Sequence, residues 1–221
     1  MVARVGVLGP AGHAAATLAR RRAVPLGGGA FLTSWLNTTS TSPPDWSPAA
    51  SSPCNWSHIS CTGTGTTRTV SSVSFQSVHL AGATLPATGL CAALPGLVSF
   101  VVSDANLTGA VPDDLWRCRR LAVLNVSGIA LTGPIPPSLG NASALQTLAL
   151  NSNQLSGSIP PELAYLAPTL RNLLLFDNRH SGDLPPSLGD LRLLESLRAG
   201  GNHDLSGPER VRRSHVPPRL H

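Results

Sequence analysis

Leucines return in this chain at intervals that leave few architectures open. Leu97, Leu121, Leu145, Leu170 and Leu194 are spaced by 24, 24, 25 and 24 residues. Counting each as position 1, position 4 holds Phe100, Leu124, Leu148, Leu173 and Leu197. Position 6 holds Val102, Val126, Leu150, Leu175 and Ala199. Position 13 is Gly109, Gly133, Gly157 and Gly182, and position 16 is Pro112, Pro136, Pro160 and Pro185. An earlier, irregular unit starts at Val70, with Val73, Phe75, Leu80 and Gly82.

Self-similarity at a fixed period marks a chain built from one repeated supersecondary unit. Positions 4 and 6 alternate with exposed neighbours, so each unit opens with a short strand. The Gly permits a tight turn, and the Pro removes a donor where the chain leaves the strand direction. Residues at positions 1, 4, 6 and 11 face inward. One unit cannot bury them alone, but stacked units share a continuous core. The expected fold is a curved, twisted solenoid of short strands and turns, about six units over 70–207, with the strands lining its concave side.

Composition fits that reading. Hydrophobic residues make up 42% of the 221 but aromatics only 4%, so the core must be built from Leu, Val and Ala. The 21 Gly and 20 Pro recur at fixed offsets and act as punctuation. The net charge of +5 is carried by Arg alone and gathers at the ends, in Arg20–Arg22 and in Arg210, Arg212, Arg213 and Arg219. No basic stripe with interleaved aromatics runs through the middle, so no nucleic-acid partner is expected. No apolar run reaches the ~18 residues of a membrane span. Val5–Leu8 and Ala14–Ala19 are interrupted by Gly9, Pro10, Gly12 and His13, a poor signal-peptide core, which leaves 1–27 unassigned. The four cysteines, Cys54, Cys61, Cys91 and Cys118, allow three full pairings. Their spacing lacks a second close Cys/His pair, so no metal site is expected, and no cofactor.

Two positions depart from the pattern. Asn153, Asn178 and Asn202 occupy position 9, where a side-chain amide can bond neighbouring backbone, but Ala105 and Ile129 replace it in earlier units. This predicts a weakened ladder there. At position 11, His180 replaces the Leu of Leu107, Leu131 and Leu155, and reads as a tolerated substitution at a semi-buried site.

Leu131-Thr-Gly-Pro-Ile-Pro136 and Leu155-Ser-Gly-Ser-Ile-Pro160 resemble the plant-specific leucine-rich-repeat consensus L-x-G-x-I-P. Ala30-Phe-Leu-Thr-Ser-Trp-Leu36 is similar to the amphipathic helix of that family's N-terminal cap. Cys54-Asn-Trp-Ser-His-Ile-Ser-Cys61 resembles the cap motif C-x-W-x-G-V-x-C, with His58 where Gly is common. The resemblance covers roughly 30–207 and points to extracellular plant proteins, above all receptor-like kinases. It implies a cap over 28–69, repeats over 70–207 and a non-repeat tail at 208–221. It also implies a Cys54–Cys61 disulfide, whereas Cys91 and Cys118, read as falling at different repeat positions, are expected as buried thiols, with a bridge between units as the alternative. Sequons at Asn37, Asn55, Asn106, Asn125 and Asn141 fit glycosylation on a secretory route, at the cell surface or outside it.

Exposed concave residues form columns. Position 5 runs Val101, Asn125, Ala149, Leu174, Arg198; position 7 runs Ser103, Ser127, Asn151, Phe176, Gly200; position 8 runs Asp104, Gly128, Ser152, Asp177, Gly201. The chemistry sharpens in the last units, at Phe176, Asp177 and Arg198. Arg198-Ala199-Gly200-Gly201 resembles the R-x-G-G signature of peptide-hormone receptor kinases, in particular the root meristem growth factor receptor group. The resemblance implies binding of a secreted, tyrosine-sulfated peptide through Arg198, Gly200, Gly201, Phe176 and Asp177, with an LRR co-receptor kinase as a further partner. The two glycines are expected to give the ligand room.

The kinase of that family is not in this sequence, which contains no Lys at all, so no enzymatic activity is expected. The repeat also breaks after Gly207, where Arg210 takes the place of the position-16 Pro. The expectation is a receptor ectodomain that stops before its membrane span and kinase. The alternatives are a soluble inhibitor-like LRR protein and a nonfunctional truncated product.

Overall fold

The computed structural model describes residues 28–36, 43, 45–46, 52–80 and 82–206. The expectations for 1–27, for 208–221 and for Asn37 lie outside them. Helix α1, Gly28–Leu36, lays Leu32, Trp35 and Leu36 against the first turn of the solenoid. Strand β1, Ile59–Thr62, pairs antiparallel with β2, Thr69–Gln76. A short helix α2, Leu90–Ala93, follows on the opposite side. Each later unit supplies two strands. They are β3 (Ser99–Ser103) and β4 (Thr108–Gly109), β5 (Val123–Asn125) and β6 (Ala130–Gly133), β7 (Thr147–Ala149) and β8 (Gln154–Gly157), β9 (Asn172–Leu174) and β10 (Arg179–Asp183), and β11 (Ser196–Arg198) and β12 (Asp204–Ser206).

The first strands of the units form one sheet in the order β1-β2-β3-β5-β7-β9-β11, parallel from β2 onward. In its register Val73 opposes Phe100, Phe100 opposes Leu124, Thr147 opposes Asn172 and Leu174 opposes Arg198. Identical repeat positions therefore stand side by side, as the periodicity requires. The second strands form a sheet that the sequence did not announce, β12-β10-β8-β6-β4. Its members are short and largely polar, so no alternation marks them.

The inward positions are excluded from water in all but the last unit, where Leu194 and Ala199 are half-buried. Leu97, Leu121, Leu145 and Leu170, Leu107, Leu131 and Leu155, and Val102, Leu150 and Leu175 are all buried. The position-16 prolines precede 3-10 turns at Pro137–Asn141, Pro161–Leu166 and Pro186–Asp190, each opening on a second proline. Proline suits that first helical position because its missing N–H would be unsatisfied there in any case.

The amide ladder is present where the Asn residues are. Asn178 receives Leu155 N–H at 3.0 Å and donates to Leu150 O at 2.9 Å and Leu175 O at 3.2 Å. Asn153 receives Leu131 N–H at 3.0 Å and donates to Val126 O at 2.8 Å; Asn202 receives His180 N–H at 3.0 Å and donates to Leu175 O at 3.0 Å. Each amide thus ties its own unit to the one before. Ala105 and Ile129 fill the same place with apolar bulk and are buried.

Two expectations need correction. Cys91 and Cys118 are bonded to each other, with Cα atoms 4.8 Å apart, and are not free thiols. Because Val73 stands opposite Phe100, the unit from Val70 is 27 residues long. Counted from Val70 and from Leu97, both cysteines occupy position 22, so stacking brings them together. His180 is completely buried, not semi-buried. Its Nδ1 lies 3.3 Å from Gly157 O, and its Nε2 has no partner. Burial pushes its imidazole below the usual value, opposed by the Gly157 bond.

The cap closes as the resemblance implied. Cys54 and Cys61 form a disulfide, with Cα atoms 5.5 Å apart. Trp46 and Trp56 stack with centroids 5.1 Å apart, and Trp46 Nε1 donates to Ser57 O at 2.9 Å. His58 has φ +65°, in the left-handed region that glycine enters freely, which accounts for the glycine of the motif. The imidazole stacks on Phe75 at 4.7 Å, and Nδ1 lies 3.0 Å from Ser74 O.

Candidate functional site: the concave strands of the last units

Position 8 is a turn position throughout. Ser77, Asp104, Gly128, Ser152, Asp177 and Gly201 all have positive φ, between 51° and 70°. Asp177 N–H donates to Gly200 O at 2.9 Å, so the turn of one unit is tied to the turn of the next. Position 8 therefore ends the strand and carries the chain away from the concave face.

Among the expected site residues the structure joins Arg198 and Phe176. The guanidinium carbon of Arg198 lies 4.6 Å from the Phe176 ring centroid. Arg198 ends β11 and Phe176 lies two residues past the adjacent β9, in columns 5 and 7, a diagonal neighbourhood within reach of long side chains. Arg198 is exposed and Phe176 half-buried. An aromatic face under a guanidinium holds its planar fork in place without consuming its donors. Gly200, two residues past the end of β11, has open space where a Cβ would stand. The fork and the clearing beside it form a small platform on the concave side.

Asp177 takes a different place. Among the described residues it makes no ion pair with Arg198. Its carboxylate instead occupies the space that a side chain on Gly201 would need. The expectation that both glycines make room for a ligand is corrected for Gly201. Its missing Cβ accommodates Asp177, and its φ of +70° serves the turn.

The earlier columns are quieter. Asn125 on β5 is half-buried, and its Oδ1 accepts the Ser127 N–H at 3.1 Å and the Ser127 hydroxyl at 2.7 Å. Ala149 is buried. Of the sequon residues, Asn55, Asn106 and Asn141 are exposed. Position 3 holds Ser99, Val123, Thr147, Asn172 and Ser196, mostly polar, and in it Asn172 donates to Thr147 Oγ at 3.3 Å. No group of three or more potential metal-ligating side chains occurs among the described residues, and none of their helices is long and apolar enough to cross a membrane.

Comparison with known proteins agrees with this architecture. A family model described as Leucine Rich Repeat matches residues 144–166. The LRR receptor-like serine/threonine-protein kinase RGI2 of Arabidopsis thaliana is 42% identical over 99 residues, which is 43% of this chain and 8% of that protein. The chain therefore corresponds to a small part of that relative's length. The solved plant peptide hormone receptor RGFR1, in complex with RGF2, is 35% identical at a TM-score of 0.60, covering 69% of this chain and 22% of its own. A chain of the BIR3–SERK2 complex from Arabidopsis thaliana is 31% identical at a TM-score of 0.67, with 80% of this chain and 94% of that one covered. With its parallel stack of 24-residue units, its cap disulfide and these likenesses, the chain belongs to the ectodomain family of plant leucine-rich-repeat receptor-like kinases.

Proposed function

We propose that this chain is the extracellular ligand-recognition part of a plant receptor kinase, and that it binds an anionic secreted peptide across β9 and β11. The observation that carries this reading is the Arg198 guanidinium held 4.6 Å over Phe176 beside the open space at Gly200. A fork of that kind takes a sulfate or carboxylate in two parallel charge-assisted bonds. The proposed contact is a sulfated tyrosine, with its ester group on Arg198 and its ring toward Phe176 and Leu174. The likeness to RGFR1, which was solved with RGF2, supports a peptide as the ligand class. An LRR co-receptor kinase is the proposed second partner. The proposed glycan carriers are Asn37, Asn55, Asn106, Asn125 and Asn141.

Calorimetry with sulfated and unsulfated versions of one tyrosine-containing peptide tests the site. Arg198→Ala weakens binding of the sulfated form by roughly 1.5–3 kcal/mol, the range for hydrogen bonds to charged groups. Arg198→Lys restores part of it, because an ammonium lacks the planar fork. Gly200→Val closes the clearing and weakens both forms, while Asn125→Ala, three strands away, leaves both unchanged. Equal losses for the two peptides on Arg198→Ala would remove Arg198 as the anion contact.

A further inference from the structure

The described residues carry eight Arg against ten Asp and Glu, so the solenoid itself is slightly acidic and the chain's positive balance comes from its termini. Against that background three arginines stand within four residues on the side opposite the strands: Arg117, Arg119 and Arg120, all exposed. The guanidinium carbons of Arg117 and Arg119 lie 5.3 Å and 5.9 Å from the ring centroid of half-buried Trp116. The repeat does not require this cluster. Its four places, positions 20, 21, 23 and 24, hold Gly140, Asn141, Ser143 and Ala144 in the next unit, and Ala164, Tyr165, Ala167 and Pro168 in the one after.

The backbone of the cluster is held, and Asp113 and Asp114, which precede it in the chain, make no ion pair with it. Cys118, between the stacked arginines, is bonded to Cys91. The backbone is pinned by Arg117 N–H to Asp114 O at 2.9 Å, Cys118 N–H to Leu115 O at 3.0 Å and Leu121 N–H to Cys118 O at 3.1 Å. Among the described residues none of the three guanidiniums makes an ion pair. Three like charges held this close repel one another. The Trp116 quadrupole offsets that for two of them, and a ligand anion would offset the rest.

We propose that Trp116, Arg117, Arg119 and Arg120 form a docking surface for an anionic polysaccharide, a chain of uronate sugars. The chemistry selects this partner. A sugar ring stacks on an aromatic face through its C–H groups, and a uronate carboxylate accepts the two parallel bonds of a guanidinium fork. The surface is a 3-10 turn, Leu115–Arg117, not a strand edge, so a peptide cannot bind it by strand pairing, and an acidic peptide is the competing occupant that the test separates. Its charge is packed into one turn, not spread over a face as a lipid surface would need. This site is separate from the concave platform and stands or falls without it.

The test uses the whole chain with a decamer of α-1,4-galacturonate, reading arginine modification by phenylglyoxal residue by residue. The decamer protects Arg117, Arg119 and Arg120, while exposed Arg68 and Arg192 react at their unchanged rate. Replacing the three by Gln lowers affinity by at least about tenfold, as loss of charge-assisted bonds requires. Trp116→Leu lowers it by about threefold. Arg198→Ala leaves it unchanged, and a fully methyl-esterified decamer does not protect. Uniform protection of all exposed arginines would overturn the proposal, as would protection of the cluster by polyglutamate or phosphatidylserine vesicles equal to that by galacturonate. Because protection is read on the unmutated chain, failure of a variant to fold does not remove the test.

Discussion

A side chain on Gly201 would collide with the carboxylate of Asp177, one unit earlier at the same repeat position. The same relationship holds between Gly128 and Asp104. In both pairs the aspartate adopts a left-handed conformation, and the glycine below it leaves the space into which the carboxylate folds. An Asp at position 8 thus calls for Gly at position 8 of the following unit.

Gly201→Ala should therefore destabilise the last units by about 1–3 kcal/mol, from left-handed strain on a β-carbon plus the collision. In an Asp177→Ala background the same substitution should lose the strain and the tight contact with the residue-177 backbone, but not the carboxylate collision. A double-mutant cycle from urea unfolding checks this; additive effects would dissociate the two residues.

Acid should weaken the solenoid through His180. Its folded pKa is lowered, chiefly by burial, so the unfolded chain binds a proton more readily. The neutral-form stability is fully present above the unfolded value of about 6.5 and is lost as pH falls through the window below it. His180→Leu restores the position-11 residue, removes a buried nitrogen without a partner and should gain about 1–3 kcal/mol at pH 5. Thermal melts at pH 5 and pH 7.5 check it: the variant should show a smaller difference between the two.

The disulfides should contribute unequally. Closing the 27-residue separation of Cys91 and Cys118 restricts the unfolded chain by about 3.5 kcal/mol, against about 2.4 kcal/mol for the 7-residue separation of Cys54 and Cys61. Paired Cys→Ala substitutions, compared by denaturant midpoint, should rank in that order. Non-reducing peptide mapping of secreted protein should find both bridges.

Asn178→Ala should weaken the amide ladder. It leaves the buried Leu155 N–H without its partner, a loss of about 1–3 kcal/mol, while Leu150 O and Leu175 O keep the amides of Asn153 and Asn202. Hydrogen exchange should then rise first at Leu155.

The period of the leucines determined the solenoid, its unit length and its buried positions, because an inward residue recurs once per turn whatever fills the other places. The turn glycines at position 13 were legible because each serves a local backbone need, and the cap disulfide only through the resemblance of its motif to the family's cap. Tertiary structure decided what depends on neighbouring units. The Cys91–Cys118 bridge appears once the register of β2 on β3 sets the first unit at 27 residues. The second sheet rests on pairings too short and polar to leave a pattern. The role of Gly201 became visible only beside Asp177, and the stacking of Arg198 on Phe176 only when β9 and β11 lay side by side. Repetition fixes which positions face inward, but contacts between units depend on the particular side chains that stacking brings together.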